Sequence, residues 1–249
     1  MAARHVEVVP VTERVHLARG YAVNWVLVAD DSGVLMIDAG YPGDRVNVLA
    51  SLGALGYHAG DVRAVLLTHA HIDHLGSAIW LAKTHGTPVY CHPDEVGHAK
   101  REYLEQVSPV QIAGQLWRPV WAAWSMHVLL NGGLSREGIP TAQPLTAEIA
   151  AGLPGQPIAI PTPGHTGGHC SYLVDGVLAS GDALVTGHAL LPRSGPQLLP
   201  AMFSLSQDNC VRSLAAMALL ETEILAPGHG DLWHGPIATA VEHATRRLG

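Results

Sequence analysis

Apolar positions in the first third of the chain fall into short runs, alternating or continuous, separated by Gly, Asp and Pro. Residues 6–11, 14–18, 24–29 and 34–37 read as successive strands, with Asp30-Asp31-Ser32-Gly33 as a hairpin turn. Residues 43–55 read as a helix, with Val46, Leu49 and Leu52 along one face. The unbroken apolar run 62–67 predicts a buried strand, 74–85 a helix that stops at Gly86, and 87–91 a return strand. Residues 94–107 read as a charged helix, and Pro119 suits the first turn of the one after it. Strands resume at 157–160, 170–174 and 177–179. Ser204-Leu205-Ser206-Gln207 has capping-box spacing and predicts a helix to about residue 220, and the tail from Pro236 predicts a last one. No short repeat or low-complexity linker interrupts this pattern. It predicts one α+β domain over 1–249, with a helical insertion at about 94–154.

The strand ends are where the chemistry collects. Run 62–67 leads into Thr68-His69-Ala70-His71-Ile72-Asp73-His74, which holds three imidazoles and a carboxylate within six residues. Neutral imidazole and carboxylate are donors for borderline divalent ions, zinc above all. In extended backbone, residues i and i+2 project to the same side, so His69 and His71 can grip one ion together. A reversal beyond them turns Asp73 and His74 toward a second position. Three other strand-like runs end alike: at Gly164-His165, followed by Thr166-Gly167-Gly168-His169; at Gly181-Asp182; and at Gly228-His229. A Gly directly before each candidate ligand permits the close approach that a crowded site needs. Polar residues solvating a loop would explain the first cluster, but not its three counterparts.

These motifs in this order, together with Met36-Ile37-Asp38-Ala39-Gly40, resemble the metallo-β-lactamase-fold hydrolase superfamily, in its glyoxalase II-like and lactonase-like branch, over almost the whole chain. The resemblance implies a four-layer αβ/βα sandwich, two β-sheets face to face with helices outside. It implies His69, His71 and His165 on one metal, Asp73, His74 and His229 on the other, and Asp182 bridging them with a hydroxide as the second bridge. Two zinc ions are the expected cofactor, and iron or manganese suits the same donors. Two such ions roughly 3.5–4 Å apart orient a nucleophile and clamp the reacting oxygens, and the pKa of bound water falls toward about 7. Asp73 is the expected catalytic proton acceptor. Asp38, Thr68 and His169 are expected to orient ligands through hydrogen bonds. Asp38 and Thr68 read equally well as strand-end turn residues.

Composition narrows the partners. Of 249 residues, 48% are hydrophobic and 14% charged, enough to bury a substantial core. A net charge of −7 argues against an extended nucleic-acid surface, and so against the nuclease relatives; a small-molecule substrate is expected. The amino terminus has no apolar core with a cleavage site. The longest nearly apolar stretch, 116–130, is broken by Arg118, Pro119 and His127 and falls short of the ~20 residues that span a bilayer. No membrane association and a cytoplasmic location are therefore expected. The scattered Cys91, Cys170 and Cys210 make no disulfide framework.

Substrate choice is expected to lie in the insertion. Trp121, Trp124 and Val128 share a helical face, with Trp117 just ahead. Such a stripe reads first as aromatic core packing; the functional alternatives are an apolar wall over the metals or a surface that pairs two copies into a homodimer. Residues 198–203, ending in Phe203, form a second candidate wall. His188, six residues past Asp182, either reaches substrate or sits on a surface loop. The expected reaction is hydrolysis of a small ester, thioester or lactone. Asp182 speaks against a zinc β-lactamase, which lacks that bridge. Glyoxalase II continues into a glutathione-binding helical region, whereas about 20 residues follow His229 here, and Ser77 stands where that enzyme usually has a second Gly. Glutathione thioesters are thus a less expected substrate. The alternative chemistry is persulfide dioxygenation on one iron held by His69, His165 and Asp182. A non-catalytic binding protein is a third reading, disfavoured by the complete ligand set.

Overall fold

In the computed structural model, which describes residues 6–248, the strands form two mixed sheets. In the first, β1 (Glu7–Pro10), β2 (Val15–Arg19), β3 (Asn24–Asp30) and β4 (Gly33–Ile37) make an antiparallel meander. Helix α1 (Arg45–Ala54) then crosses over to β5 (Val62–Leu66), and α2 (Ile72–His85) crosses to β6 (Val89–Cys91), both strands joining in parallel. Parallel neighbours need such crossovers, since a tight turn cannot return the chain to the same end. The next connection carries α3 (Val96–Lys100), α4 (Pro109–Ala113) and α5 (Pro119–Leu130) before β7 (Gln143–Pro144) closes the sheet. After α6 (Ala147–Ala151), the second sheet is built from β8 (Ile158–Pro161), β9 (Cys170–Val174) and β10 (Val177–Gly181), with β9 antiparallel to both of its neighbours. Helix α7 (Gln207–Met217) leads to β11 (Ile224–Pro227), parallel to β10; β12 (Trp233–His234) and α8 (Ile237–Arg246) end the fold.

Residue alternation along the strands sorts side chains into layers. Val15, Leu17, Val26, Val28, Leu35, Ile37 and Leu66 pack between the sheets against Tyr172, Val174, Val177, Ala179 and Ala226. The intervening Trp25, Leu27, Met36 and Val65 face the other way, onto Val48, Leu52, Leu75 and Leu81 of α1 and α2. Leu178 and Leu225 do the same for the second sheet, against Leu214, Met217, Ile237 and Ala240 of α7 and α8. Both faces of each sheet are thereby covered, so β4 is buried at all five positions and reads as a continuous apolar run. The result is the four-layer sandwich that the resemblance implies. Cys91, Cys170 and Cys210 are buried and unbridged. No helix among the described residues is long and apolar enough to cross a membrane.

Several local expectations are corrected. On α1, Val46 and Leu49 are 64% and 37% exposed, and the buried face is Asn47, Val48, Ser51 and Leu52. Two polar residues can face the core because each is paired: Ser51 Oγ accepts from Trp25 Nε1 at 3.0 Å, and Asn47 Nδ2 donates to Asp44 Oδ1 at 2.9 Å. The charged helix expected at 94–107 is only the short α3, which Arg101 ends in a left-handed conformation with φ of 66°. Glu95, the N-cap of α3, is fully buried and pulls this segment inward through hydrogen bonds described below. Helix α7 is capped by Ser206, whose Oγ accepts from Asn209 N at 3.3 Å, and not by Ser204; it ends at Met217. Trp117 lies in solvent, 80% exposed, apart from the Trp121 stripe.

Candidate metal centre

Strand direction brings the candidate ligands to one edge. β4 and β5 are parallel, as are β10 and β11, and β8 runs with β10 because β9 is antiparallel to both. In open sheets of this kind, ligands bind outside the carboxyl ends of such strands. Asp38 follows β4, the 68–74 segment follows β5, His165 follows β8, Asp182 follows β10 and His229 follows β11. Backbone hydrogen bonds lock these ends: Gly228 N donates to Gly181 O at 2.9 Å, Asp38 N to Leu66 O at 2.8 Å. Cys170 N to Thr68 O at 2.9 Å and Asn24 N to Gly228 O at 2.8 Å tie one sheet to the other at the same edge.

All seven candidate ligands converge there. His69, His71 and His165 form one group whose donor atoms lie within 4.8 Å of each other; Asp73, His74 and His229 form another; His69, His74 and Asp182 form a third between them. His71 Nδ1 is 3.0 Å from His165 Nε2. Asp182 reaches both sides, with Oδ2 3.4 Å from His165 Nε2 and 3.3 Å from His229 Nε2, and Oδ1 3.4 Å from His74 Nε2. Asp73 Oδ2 lies 3.6 Å from His229 Nε2 and 3.8 Å from His74 Nε2. Glycine makes this crowding sterically allowed. A Cβ on Gly228 would sit 2.5 Å from Asp182 Oδ1, and Gly181, with φ of 51°, has Thr68 Oγ1 at 2.5 Å from where its Cβ would be.

The hydrogen bonds around the cluster decide which nitrogen of each ring faces it. A carbonyl can only accept, so His229 Nδ1 donates to Ala22 O at 2.6 Å and His71 Nε2 donates to Glu105 O. Asp38 Oδ2 takes the Nδ1 proton of His74 at 2.8 Å. Thr68 Oγ1 spends its own proton on Asp38 Oδ2 at 2.7 Å, which leaves it to accept from His69 Nδ1 at 3.1 Å. In four rings, therefore, the outer nitrogen is committed as a donor, and the inner nitrogen, which presents a lone pair whenever the ring is neutral, faces the cluster. Buried His69 Nε2, His74 Nε2 and Asp182 Oδ1 have no hydrogen-bond partner. Converging lone pairs with nothing to accept from are a poor arrangement for an empty protein and a good one for divalent cations. The donor set therefore fits bound metal.

Asp38 and Thr68 thus hold ligand rings in place, and Asp38, at φ of 62°, also accepts from Thr68 N at 2.8 Å. His169 uses both nitrogens elsewhere: Nε2 accepts from Asp182 N at 3.1 Å, and Nδ1 meets Thr162 Oγ1 at 2.9 Å. It positions the Asp182 turn.

Electrostatics divides the rings. Burial, reinforced by neighbouring imidazoles, holds His69 and His165 well below the ordinary histidine value, and burial pulls His169 down to about 4. Burial also opposes charge on His74 and His229, but Asp182 and its fellow carboxylates outweigh it and raise both. Asp182 is held well below the usual carboxylate range, because His229 and His74 overcome the burial that would raise it.

Sequence reasoning missed a brace beside the ligands. Glu95 Oε1 accepts from Ala70 N at 2.7 Å, between His69 and His71, and meets His98 Nδ1 at 2.8 Å. Its Oε2 accepts from Thr166 Oγ1 at 2.8 Å and Gly168 N at 3.1 Å, just past His165. Glu105 Oε2 accepts from Gly167 N at 2.6 Å. Glu95, His98 and Glu105 also form a metal-like group, but the Glu95 oxygens are already satisfied, so the group reads as a strut. The signal was present: Glu95 follows a strand, β6, as every ligand does. Tyr41 was missed as well; it is buried and lines the cavity described next.

A cavity of about 330 Å³ opens onto His71, Asp73, His165, Asp182 and His229. Of the four substrate-pocket candidates, Trp124, Phe203 and His188 line it. Trp121 does not: it is buried behind the wall, stacked on Phe203 at 5.9 Å and edge-on to Trp124 at 6.1 Å. His188 packs 4.9 Å from the His229 ring, and burial pulls it down to about 4.

The chain is similar to known proteins throughout this architecture. The family profile described as "Metallo-beta-lactamase superfamily" matches residues 18–229. Uncharacterized protein YobT of Bacillus subtilis is 30% identical, over 87% of this chain and 86% of its own length. Hydroxyacylglutathione hydrolase of Alkalilimnicola ehrlichii is 29% identical over 67% of this chain, which spans only 49% of that enzyme's length. Among solved structures, Rm3 metallo-beta-lactamase superposes with a TM-score of 0.66 over 97% of this chain and 91% of that one, at 17% identity, a likeness of fold alone. With its fold, its histidine and aspartate clusters and the profile match in agreement, the chain belongs to the metallo-beta-lactamase superfamily.

Proposed function

We propose that the protein is a dinuclear zinc hydrolase that cleaves a small ester, thioester or lactone. One observation carries this reading: four rings with fixed outer protons aim lone pairs into a single pocket around Asp182. His69, His71 and His165 would hold one ion, Asp73, His74 and His229 the other, and Asp182 would serve both. Ions bound there supply Lewis-acid polarisation and lower the pKa of water toward about 7. The chain's own groups do the rest. Asp73, whose side chain is 18% exposed and lines the cavity, accepts the proton released as water attacks. Tyr41 keeps its own proton, because burial and then Asp73 and Asp44 push its phenol well above the ordinary value; it offers the cavity a hydrogen-bond donor. His188 Nδ1 accepts from Leu190 N at 3.2 Å, so the neutral ring carries its proton on Nε2 as a second donor. The insertion at about 94–154 serves as the lid that walls this pocket.

The Asp73–His74–His229 group supports two ions over the mononuclear-iron alternative, since its lone pairs are organised as fully as those of the first group. Metal analysis of protein purified without added metal, followed by an ester, thioester and lactone panel, tests the reading. About two zinc ions per chain with hydrolysis is the expected result. One iron, with oxygen uptake on glutathione persulfide, would replace hydrolysis by dioxygenation. Full metal occupancy with no turnover on any ester, thioester, lactone or phosphodiester would favour a binding protein.

A further inference from the structure

We infer that the substrate carries an uncharged hydrocarbon chain, which this cavity holds while the scissile carbonyl meets the metal ligands; the inference rests on the hydrolase reading above. The floor of the cavity is the ligand cluster, and its walls are Ile112, Leu116, Val128, Leu129, Leu199 and Phe203. These come from α4, the turn that follows it, α5 and the 198–203 segment, so the lid and the opposite loop build one continuous apolar surface. Leu116 and Leu129 are 44% and 49% exposed, and Leu134 on the same wall is 68% exposed, which leaves hydrocarbon in water for an occupant to cover.

Charge is the discriminating feature. Among the described residues, no Lys or Arg lines the cavity, and its ionised side chains away from the imidazoles are the carboxylates Asp73 and Asp182. A carboxylate or phosphate at the far end of a substrate would lose its water with no cation to meet it. The cavity therefore selects against substrates with an anionic tail, among them glutathione conjugates.

The test uses the metal-loaded full chain and two ester series, one lengthened in the acyl part from acetate to decanoate and one in the alcohol part. In one series kcat/KM should rise about fourfold per methylene until the cavity is full. Replacing the terminal methyl of the best substrate by a carboxylate should lower kcat/KM on the order of a hundredfold. Ile112→Lys, on a wall and outside the core, should reverse that preference toward the carboxylate-ended ester. A flat series, or better turnover of the anionic ester by the unmodified protein, overturns the inference and leaves the hydrolase reading intact. An enzyme inert on all esters overturns the hydrolase reading instead. Calorimetric binding of non-hydrolysable alkanamides decides the inference even then: affinity should rise with chain length and vanish with a terminal carboxylate. A protein that binds none of them and dimerises through this wall in gel filtration would overturn it.

Discussion

Glu95 and Ala70 are joined at 2.7 Å, carboxylate to backbone amide, at the midpoint between two metal-ligand candidates. Arg101 Nη1 donates to the Ala70 carbonyl at 2.7 Å, so the two peptide groups of this one residue are clasped by the two caps of α3. The other Glu95 oxygen holds Thr166 and Gly168. A single buried carboxylate thus fixes the distance between the His69–His71 turn and the His165 turn.

Glu95→Gln keeps the shape but turns an acceptor into a donor that faces the Ala70 or Gly168 amide. Metal affinity should fall about 10–100-fold, the usual effect of losing a partner that orients ligands. Glu95→Ala should in addition lower the melting temperature of the metal-free protein, since buried amides are left unpaired. Competition with a zinc chelator measures the first and thermal denaturation the second. Unchanged affinity in Glu95→Gln would remove Glu95 from any positioning role.

His69→Ala and Asp182→Ala should each abolish turnover and reduce metal occupancy. Asp182 approaches nitrogens of both groups, so its loss should cost more metal than the loss of a ring that serves one side. Elemental analysis alongside the ester panel is the check. Near-normal rates with full occupancy in both variants would count decisively against the ligand assignment.

Gly228→Ala is a steric test. The added methyl would meet Asp182 Oδ1 at 2.5 Å and His74 Cε1 at 2.9 Å, so the carboxylate must move. Weaker metal binding with a modest loss of stability is expected. Gly56→Ala meets no atom within 4 Å but sits at φ of 83°, and should affect stability alone.

The metal-free protein should lose stability in acid below about pH 6.5. Burial holds His169 and His188 at about 4, while an unfolded histidine titrates near 6.5. Between those values the unfolded chain binds protons that the native chain does not, so their contribution is full above about 6.5 and fades as pH falls toward 4. Chelator-treated protein melted at stepped pH should show this slope, and His188→Gln should reduce it.

His74 and His229 behave in the opposite sense. Their pKa values are raised, by Asp182 above all, against the opposing effect of burial, so their stabilisation is present below about 6.5 and is lost as pH rises through the native values. Zinc uptake near pH 7 should therefore release protons, at least one from His74. Calorimetry in buffers of different ionisation enthalpy reads the number directly. Uptake without proton release would show that these rings are neutral before the metal arrives.

The amino-acid sequence alone determined the strand-rich framework and the seven ligand candidates, because both are written locally. A strand is recognised from its own apolar run, and each ligand lies within a few residues of a strand end, three of them directly after a glycine. Burial of polar groups is not written locally. Ser51 turns inward only because Trp25, 26 residues away, needs an acceptor, and Glu95 abandons a surface helix because three groups from two distant turns, together with His98 of its own helix, need its oxygens. Trp121 and Trp124 are three positions apart on one helix, yet the first packs behind Phe203 and the second faces the cavity. Which proton each histidine holds depends likewise on partners up to 207 residues distant, as for His229 and Ala22. Tertiary structure decided these points, because a buried polar group takes its state from whatever the fold places within hydrogen-bond reach.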